Sequence, residues 1–142
     1  MPNSGHCLCG CVKFSVDANP LTARICWCRD CQYLGAGTGM ASIGFPSDAF
    51  EPHGTIAWFK SLAKSGNEME RGFCPSCGTP LFSRTNARPN LVFIRVGALD
   101  DPELLAPEVT IWTKSAPSWA HFDPDIPTVE GQPAPPVRVT TS

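Results

Sequence analysis

Eight of the 142 residues are cysteines, and seven of them fall into three groups with ligand-like spacing: Cys7-x-Cys9, Cys26-x-Cys28-x-x-Cys31 and Cys74-Pro-Ser-Cys77. Zinc prefers thiolates in tetrahedral arrays, about 2.3 Å from each sulfur. A Cys-x-x-Cys turn suits that geometry, because two intervening residues fold both sulfurs onto one ion. Gly78, directly after Cys77, admits the sharp turn, and backbone N–H groups around such a knuckle can hydrogen-bond the thiolates. The same segment could instead be a thioredoxin-like redox pair. That motif needs a strand before it and a helix after it, and no helical pattern follows here.

Cys7 and Cys9 need more help. Residues i and i+2 of a strand face the same way but lie too far apart to share an ion. The chain must bend between them, with Gly10 supplying slack, and a second pair must come from elsewhere. Cys74 and Cys77 are the tidy pair available. Cys26, Cys28 and Cys31 already put three thiols within six residues. Three protein ligands and an open position describe a catalytic zinc rather than a structural one. Ligand counting therefore divides the seven as four plus three, although the division is not unique. Cys11 is left over, either as a fourth ligand closing the trio or as a small buried hydrophobe.

Other candidates are weaker. His6 precedes a potential ligand and either coordinates or stays solvated. His121, in a segment with Trp119, could shuttle a proton beside the trio or lie at the surface next to a core Trp119. Trp27 cannot point where Cys26 and Cys28 do if that stretch is extended, so it shields the site, lines a pocket or packs in the core. No nucleophile elbow, phosphate-binding glycine loop or carboxylate pair stands out.

The elements that must position these thiols are short. Proline (15) and glycine (12) interrupt the chain every few residues, leaving little room for long helices. Residues 11–16, 40–45, 55–60, 91–96 and 109–113 read as strands, which points to an all-β sandwich or open barrel. Single helical turns are expected at 47–50 and 101–105. The proline-rich stretch after Asp123 should run extended over the surface, with 129–142 as a tail. The length fits a single zinc-binding domain over residues 1–142.

The formal charge is −2, with 11 basic and 13 acidic residues, and seven thiolates holding two zinc ions would take it to about −5. That balance argues against nucleic acid as a partner. No run approaches 18 apolar residues, so no membrane span is expected. The start of the chain lacks a signal-peptide pattern, so a cytoplasmic location is expected, where disulfides rarely persist and metal is the default use of cysteine.

The strings GHCLCGCVKF, CWCRDC (residues 26–31) and FCPSCGTPLF (residues 73–82) resemble the glutathione-dependent formaldehyde-activating enzyme family, with Ile111-Trp112 and the Ser-Ala-Pro-Ser-Trp run ending at Trp119 in support. The resemblance runs from about residue 5 to residue 128. It implies a mainly β, β-tent fold of antiparallel sheets pinned by zinc, with a few short helical turns. It implies a structural Zn2+ on Cys7, Cys9, Cys74 and Cys77, and a catalytic Zn2+ on Cys26, Cys28 and Cys31. The implied activity is that of a carbon–sulfur lyase working on glutathione and formaldehyde. Trp27 stands where many short members of the family carry histidine, and Cys11 is an extra thiol. Both bear on substrate choice more than on metal binding.

Two functions are compatible with these residues. In one, the trio's zinc binds a small thiol as its anion for addition to an aldehyde. In the other, both zincs staple a binding module that turns nothing over. A protein ligand in the trio's fourth position, such as Cys11, would favour the second.

Overall fold

The computed structural model describes residues 2–63 and 66–133. Eleven strands occur among them: β1 (Asn3–His6), β2 (Lys13–Val16), β3 (Thr22–Cys26), β4 (Met40–Pro46), β5 (Phe50–His53), β6 (Ala57–Leu62), β7 (Glu68–Phe73), β8 (Pro80–Thr85), β9 (Leu91–Arg95), β10 (Val109–Ile111) and β11 (Thr128–Val129). One short helix, α1 (Arg29–Leu34), interrupts them. The fold is mainly β, as expected. Three strands form a small sheet in the order β1-β2-β5, and eight form a large one in the order β11-β10-β3-β4-β9-β8-β7-β6.

Alternation explains which face each strand buries. Along β2, Phe14 and Val16 are buried while Lys13 is exposed. β9 is buried along its whole length, so both faces of the large sheet are covered there. Val92 and Ile94 enter the main core with Ile43, Phe45 and Phe82. Phe82 of β8 is the hub between the sheets: Phe14 and Phe50 of the small sheet meet it edge-on, with ring centroids 5.2 and 4.8 Å away. Edge-to-face aromatic pairs of this kind each add about 1 kcal/mol to the area they bury. At Gly5 of β1, an added Cβ would lie 2.1 Å from the Ala98 carbonyl oxygen and 2.4 Å from the Phe14 ring, so only glycine lets β1 approach this closely.

Several expectations shift. The strand expected at 11–16 begins only at Lys13, because residues 8–12 form turns and bends with Gly10 at φ +81°. The strand expected at 55–60 lies at 57–62, and that at 109–113 ends at Ile111, where Trp112 adopts a left-handed φ of +59°. Ser47–Ala49 does form one 3-10 turn, whereas 101–105 holds turns and bends without a helix. The sheets are not antiparallel throughout: β10 runs parallel to both β3 and β11. The tail expected at 129–142 starts inside β11, which holds residues 128–129, and 134–142 lie outside the described residues. Among the described residues no helix is long and apolar enough to cross a membrane.

Candidate metal centres and the adjoining cleft

The sulfurs of Cys7, Cys9, Cys74 and Cys77 all lie within 4.8 Å of one another. The required bend is present: Gly10 N–H donates to the Cys7 carbonyl (3.0 Å) and closes a turn between the first two thiols. The second pair sits on the turn between β7 and β8, where Gly78 N–H reaches the Cys74 carbonyl at 2.8 Å and φ at Gly78 is +79°. The contacts Cys7 Sγ–Cys9 Sγ (3.6 Å) and Cys9 Sγ–Cys74 Sγ (3.8 Å) match the edge of a zinc–thiolate tetrahedron, about 3.8 Å for bonds of 2.3 Å. The donor set fits the metal.

Around it, Val12 N–H donates to Cys7 Sγ (3.3 Å), and Ser76 and Cys77 N–H donate to Cys74 Sγ (3.3 and 3.4 Å). Thr79 contributes more than the sequence disclosed. Its hydroxyl oxygen accepts from Leu8 N–H (3.0 Å), which leaves its own proton for Cys77 Sγ at 3.1 Å. That bond, first among the causes, holds the Cys77 thiol down to about 5.

Cys26 ends β3, Cys28 caps α1, and Cys31 lies one turn into it, so one strand–helix junction gathers three sulfurs within 4.8 Å of one another. Cys31 N–H donates to Cys28 Sγ at 3.4 Å. Three thiols this close cannot ionise together without a cation. Hydrogen bonding from Cys26 pulls Cys28 down to about 2, while the same sharing pushes Cys26 up. Gln32 fixes the junction from behind, its amide nitrogen donating to the carbonyls of Trp27 (2.7 Å) and Ser115 (3.0 Å). Among the described residues no fourth Cys, His, Asp or Glu joins the trio. Cys26, Cys28 and Cys31 instead line a cleft on the face of the large sheet turned away from the main core.

With both thiol groups in place, the comparison with known proteins is decisive. The glutathione-dependent formaldehyde-activating enzyme family matches residues 2–115. The chain belongs to that family. Among solved structures, a crystal structure of a Rhodobacter sphaeroides protein is similar over 88% of this chain and 98% of its own, with a TM-score of 0.59 and 17% identity. It shares the fold. No curated protein matches the sequence.

This family member departs from the sequence-based expectations at Cys11 and Trp119, whereas His6 and His121 take the solvent-facing alternative of the two offered for each. Cys11 is exposed and belongs to neither thiol group, so it is neither a fourth ligand nor a buried hydrophobe. The turn around Gly10 delays β2 and leaves Cys11 outside both. His6 is also outside, with its Nδ1 2.6 Å from the Cys7 carbonyl and its Nε2 3.8 Å from Asp100. Trp119 is 61% exposed rather than core, and it packs edge-on against Trp27, which follows the end of β3, is buried and does not line the cleft. His121 is exposed and does not line the cleft.

The larger omission from the sequence reading is charge. Six of the chain's seven arginines line the cleft: Arg24, Arg29, Arg71, Arg84, Arg88 and Arg95. Cross-strand register puts Arg24, Ser42 and Arg95 in one row across β3, β4 and β9. Burial lowers the affinity of Arg24 and Arg95 for their protons, and the neighbouring cysteine thiolates oppose that loss. An arginine inside an apolar strand such as Leu-Val-Phe-Ile-Arg-Val is the signal that could have found them.

Proposed function

We propose that this chain is a zinc-dependent carbon–sulfur lyase that adds a small thiol to an aldehyde at Cys26, Cys28 and Cys31, with S-hydroxymethylglutathione formation or a related addition as its reaction. Cys7, Cys9, Cys74 and Cys77 hold a second, structural zinc in this reading. The observation that carries it is the three-sulfur set opening onto a cleft, beside a four-sulfur set that is closed. Zinc at the trio would supply an open, soft coordination position that favours a thiol in its anionic form. Family membership supports the reaction class, and glutathione and formaldehyde are the substrates it suggests.

The chain's own contribution is placement and charge. Cys31 N–H fixes the Cys28 sulfur, and Gln32 locks the strand–helix junction so that the three thiols stay convergent. The arginine-rich lining lowers the cost of bringing an anion into a partly enclosed space. The substrate sulfur then donates its lone pair to the aldehyde carbon, forming the C–S bond. The carbonyl π electrons move to oxygen, which takes a proton from water at the open mouth of the cleft.

Exchange spectroscopy at equilibrium tests this, because the uncatalysed addition is itself quick. Zinc-loaded protein should speed exchange between formaldehyde, glutathione and their adduct. Cys28→Ser should remove the acceleration while the far-UV circular dichroism stays native. Equal exchange with native and Cys28→Ser protein would overturn the assignment.

A further inference from the structure

The two arginines deepest in the cleft carry hydrogen-bonding capacity that the protein does not use. Arg95 is 6% exposed and Arg71 8% exposed. Each is oriented by a serine through Nη1: Arg95 by Ser42 (2.9 Å) and Arg71 by Ser61 (2.9 Å). In both, the buried Nε has no partner among the described residues. The Nε–Nη2 edge of a guanidinium is a planar fork whose two N–H groups match the two oxygens of a carboxylate. Arg71 Nη2 already faces Asp30 Oδ2, but burying an Nε–H without an acceptor is unfavourable, so two of them beside one cleft require an explanation.

Balancing the cysteine charge accounts for only part of it. Three thiolates around a zinc carry one net negative charge. Asp30, with Oδ2 3.7 Å from Arg71 Nη2, supplies a second. Against these stand Arg24, Arg71 and Arg95, and among the described residues neither Arg24 nor Arg95 has a carboxylate within ion-pair distance. Arg24 lies instead over the Phe93 ring at 4.1 Å. At least one positive charge therefore remains in the cleft without a counterpart among the described residues. Arg84 is already satisfied by Glu70, at 2.9 and 3.1 Å, and adds nothing to this count. Formaldehyde, being uncharged, cannot answer it.

We propose that Arg71 and Arg95 bind a carboxylate of the substrate, so that the compound reacting at the trio is a short carboxylic acid bearing either the thiol or the aldehyde. This rests on the reading that a thiol and an aldehyde react at Cys26, Cys28 and Cys31. Arg24 and Cys26 sit two residues apart on β3, and Arg95 lies two strands from Arg24, about 10 Å across the sheet. The long arginine side chain covers part of that interval, and a short acid held at the trio covers the rest. The serine contacts hold both guanidinium planes before any ligand arrives, which favours a planar group over a spherical anion.

The test compares 3-mercaptopropionate with its methyl ester on zinc-loaded protein by calorimetry. The acid should bind at least about tenfold more tightly, consistent with charge-assisted bonding to a pre-oriented fork. Arg95→Gln should bring the acid down to the ester's affinity and leave the ester unchanged, which also shows that the variant is folded. Equal affinities of acid and ester for the native protein would overturn the carboxylate site while leaving thiol binding at the trio intact. A preference that survives in both Arg95→Gln and Arg71→Gln would overturn it too, because chelation of zinc by the acid would then suffice. If Arg95→Gln does not fold, the 15N-labelled Arg95 Nε–H resonance of the native protein decides. The acid should shift it saturably and the ester should not, and no shift with the acid rejects the proposal. Glyoxylate in place of the thiol acid identifies the aldehyde as the acidic partner if it shifts the resonance at lower concentration. Should neither thiol bind while glyoxylate still shifts Arg95, the carboxylate site stands and thiol binding at the trio fails.

Discussion

Thr79 shows how much a single hydroxyl can decide. It accepts from Leu8 N–H and donates to Cys77 Sγ, linking the two halves of the four-cysteine group without being a ligand itself. Removing an outer partner of a metal ligand commonly costs 10- to 100-fold in affinity. Thr79→Val should weaken zinc binding at that group by about tenfold, measured by competition with a chromogenic chelator, with little change at the trio. The seven thiols were legible in the sequence because ligand spacing is a chemical requirement that survives without any knowledge of the fold. Thr79 was not, since a threonine two residues after a cysteine has many uses. Arg71 and Arg95 were hidden for a related reason. An arginine in a strand ordinarily points to water, and only register across the large sheet, Arg95 through β4 to β3 and Arg71 through β8 to β9, turns these side chains toward a shared cleft. Overall charge concealed them further, because acidic residues elsewhere offset a local excess.

Among the elements, the helix α1 was missed, as were β1, β3, β5, β7 and β8. The six residues of α1 are too few to show an apolar period, and the side chain that begins it is Cys28, whose sulfur accepts from Cys31 N–H as a serine oxygen would at a helix start. The alternating β2 and the apolar runs of β4 and β9 were legible, whereas β3, β7 and β8 were obscured by polar residues that face the cleft. The parallel position of β10 could not be read locally, since it depends on a partner about 85 residues earlier. Gln32 is what makes α1 tolerable at the end of β3. Buried at 4% exposure, it satisfies the carbonyls of Trp27 and Ser115. Gln32→Leu keeps the volume and strands both acceptors, at about 1–3 kcal/mol each. Urea denaturation should show a loss of roughly 3 kcal/mol, and zinc at the trio should be released faster to a chelator. At β1, Gly5→Ala should push the strand off the Ala98 carbonyl and cost about 2 kcal/mol by the same measurement, with zinc release from the trio unaffected.

On the scale of the whole molecule, the two cysteine groups differ in what they tie together. Cys9 and Cys74 are 65 residues apart, and their group joins the loop after β1 to the turn between β7 and β8, so it links the small sheet to the large one. Both Cys7 and Cys74 are fully buried in the main core. Opening that link frees a long loop and leaves crowded thiols inside the protein. The trio spans six residues and sits on the opposite side, among Met40 and Ile111. Thermal unfolding should therefore show a large loss, or no folded state, for Cys77→Ser and a much smaller one for Cys31→Ser. Equal losses would contradict this division.

The parallel pairing of β10 with β3 also sets an order of events as the chain leaves the ribosome. The four-cysteine group can assemble once Cys77 has emerged, whereas the trio's strand stays unflanked on one side until Ile111 follows. During that interval Cys26, Cys28 and Cys31 are gathered by their own short junction with no completed wall beside them. Nascent protein is then most vulnerable to oxidants and to copper at the very thiols on which turnover would depend. Slow translation between codons 77 and 111 should lower the fraction of active molecules without lowering the fraction that is folded.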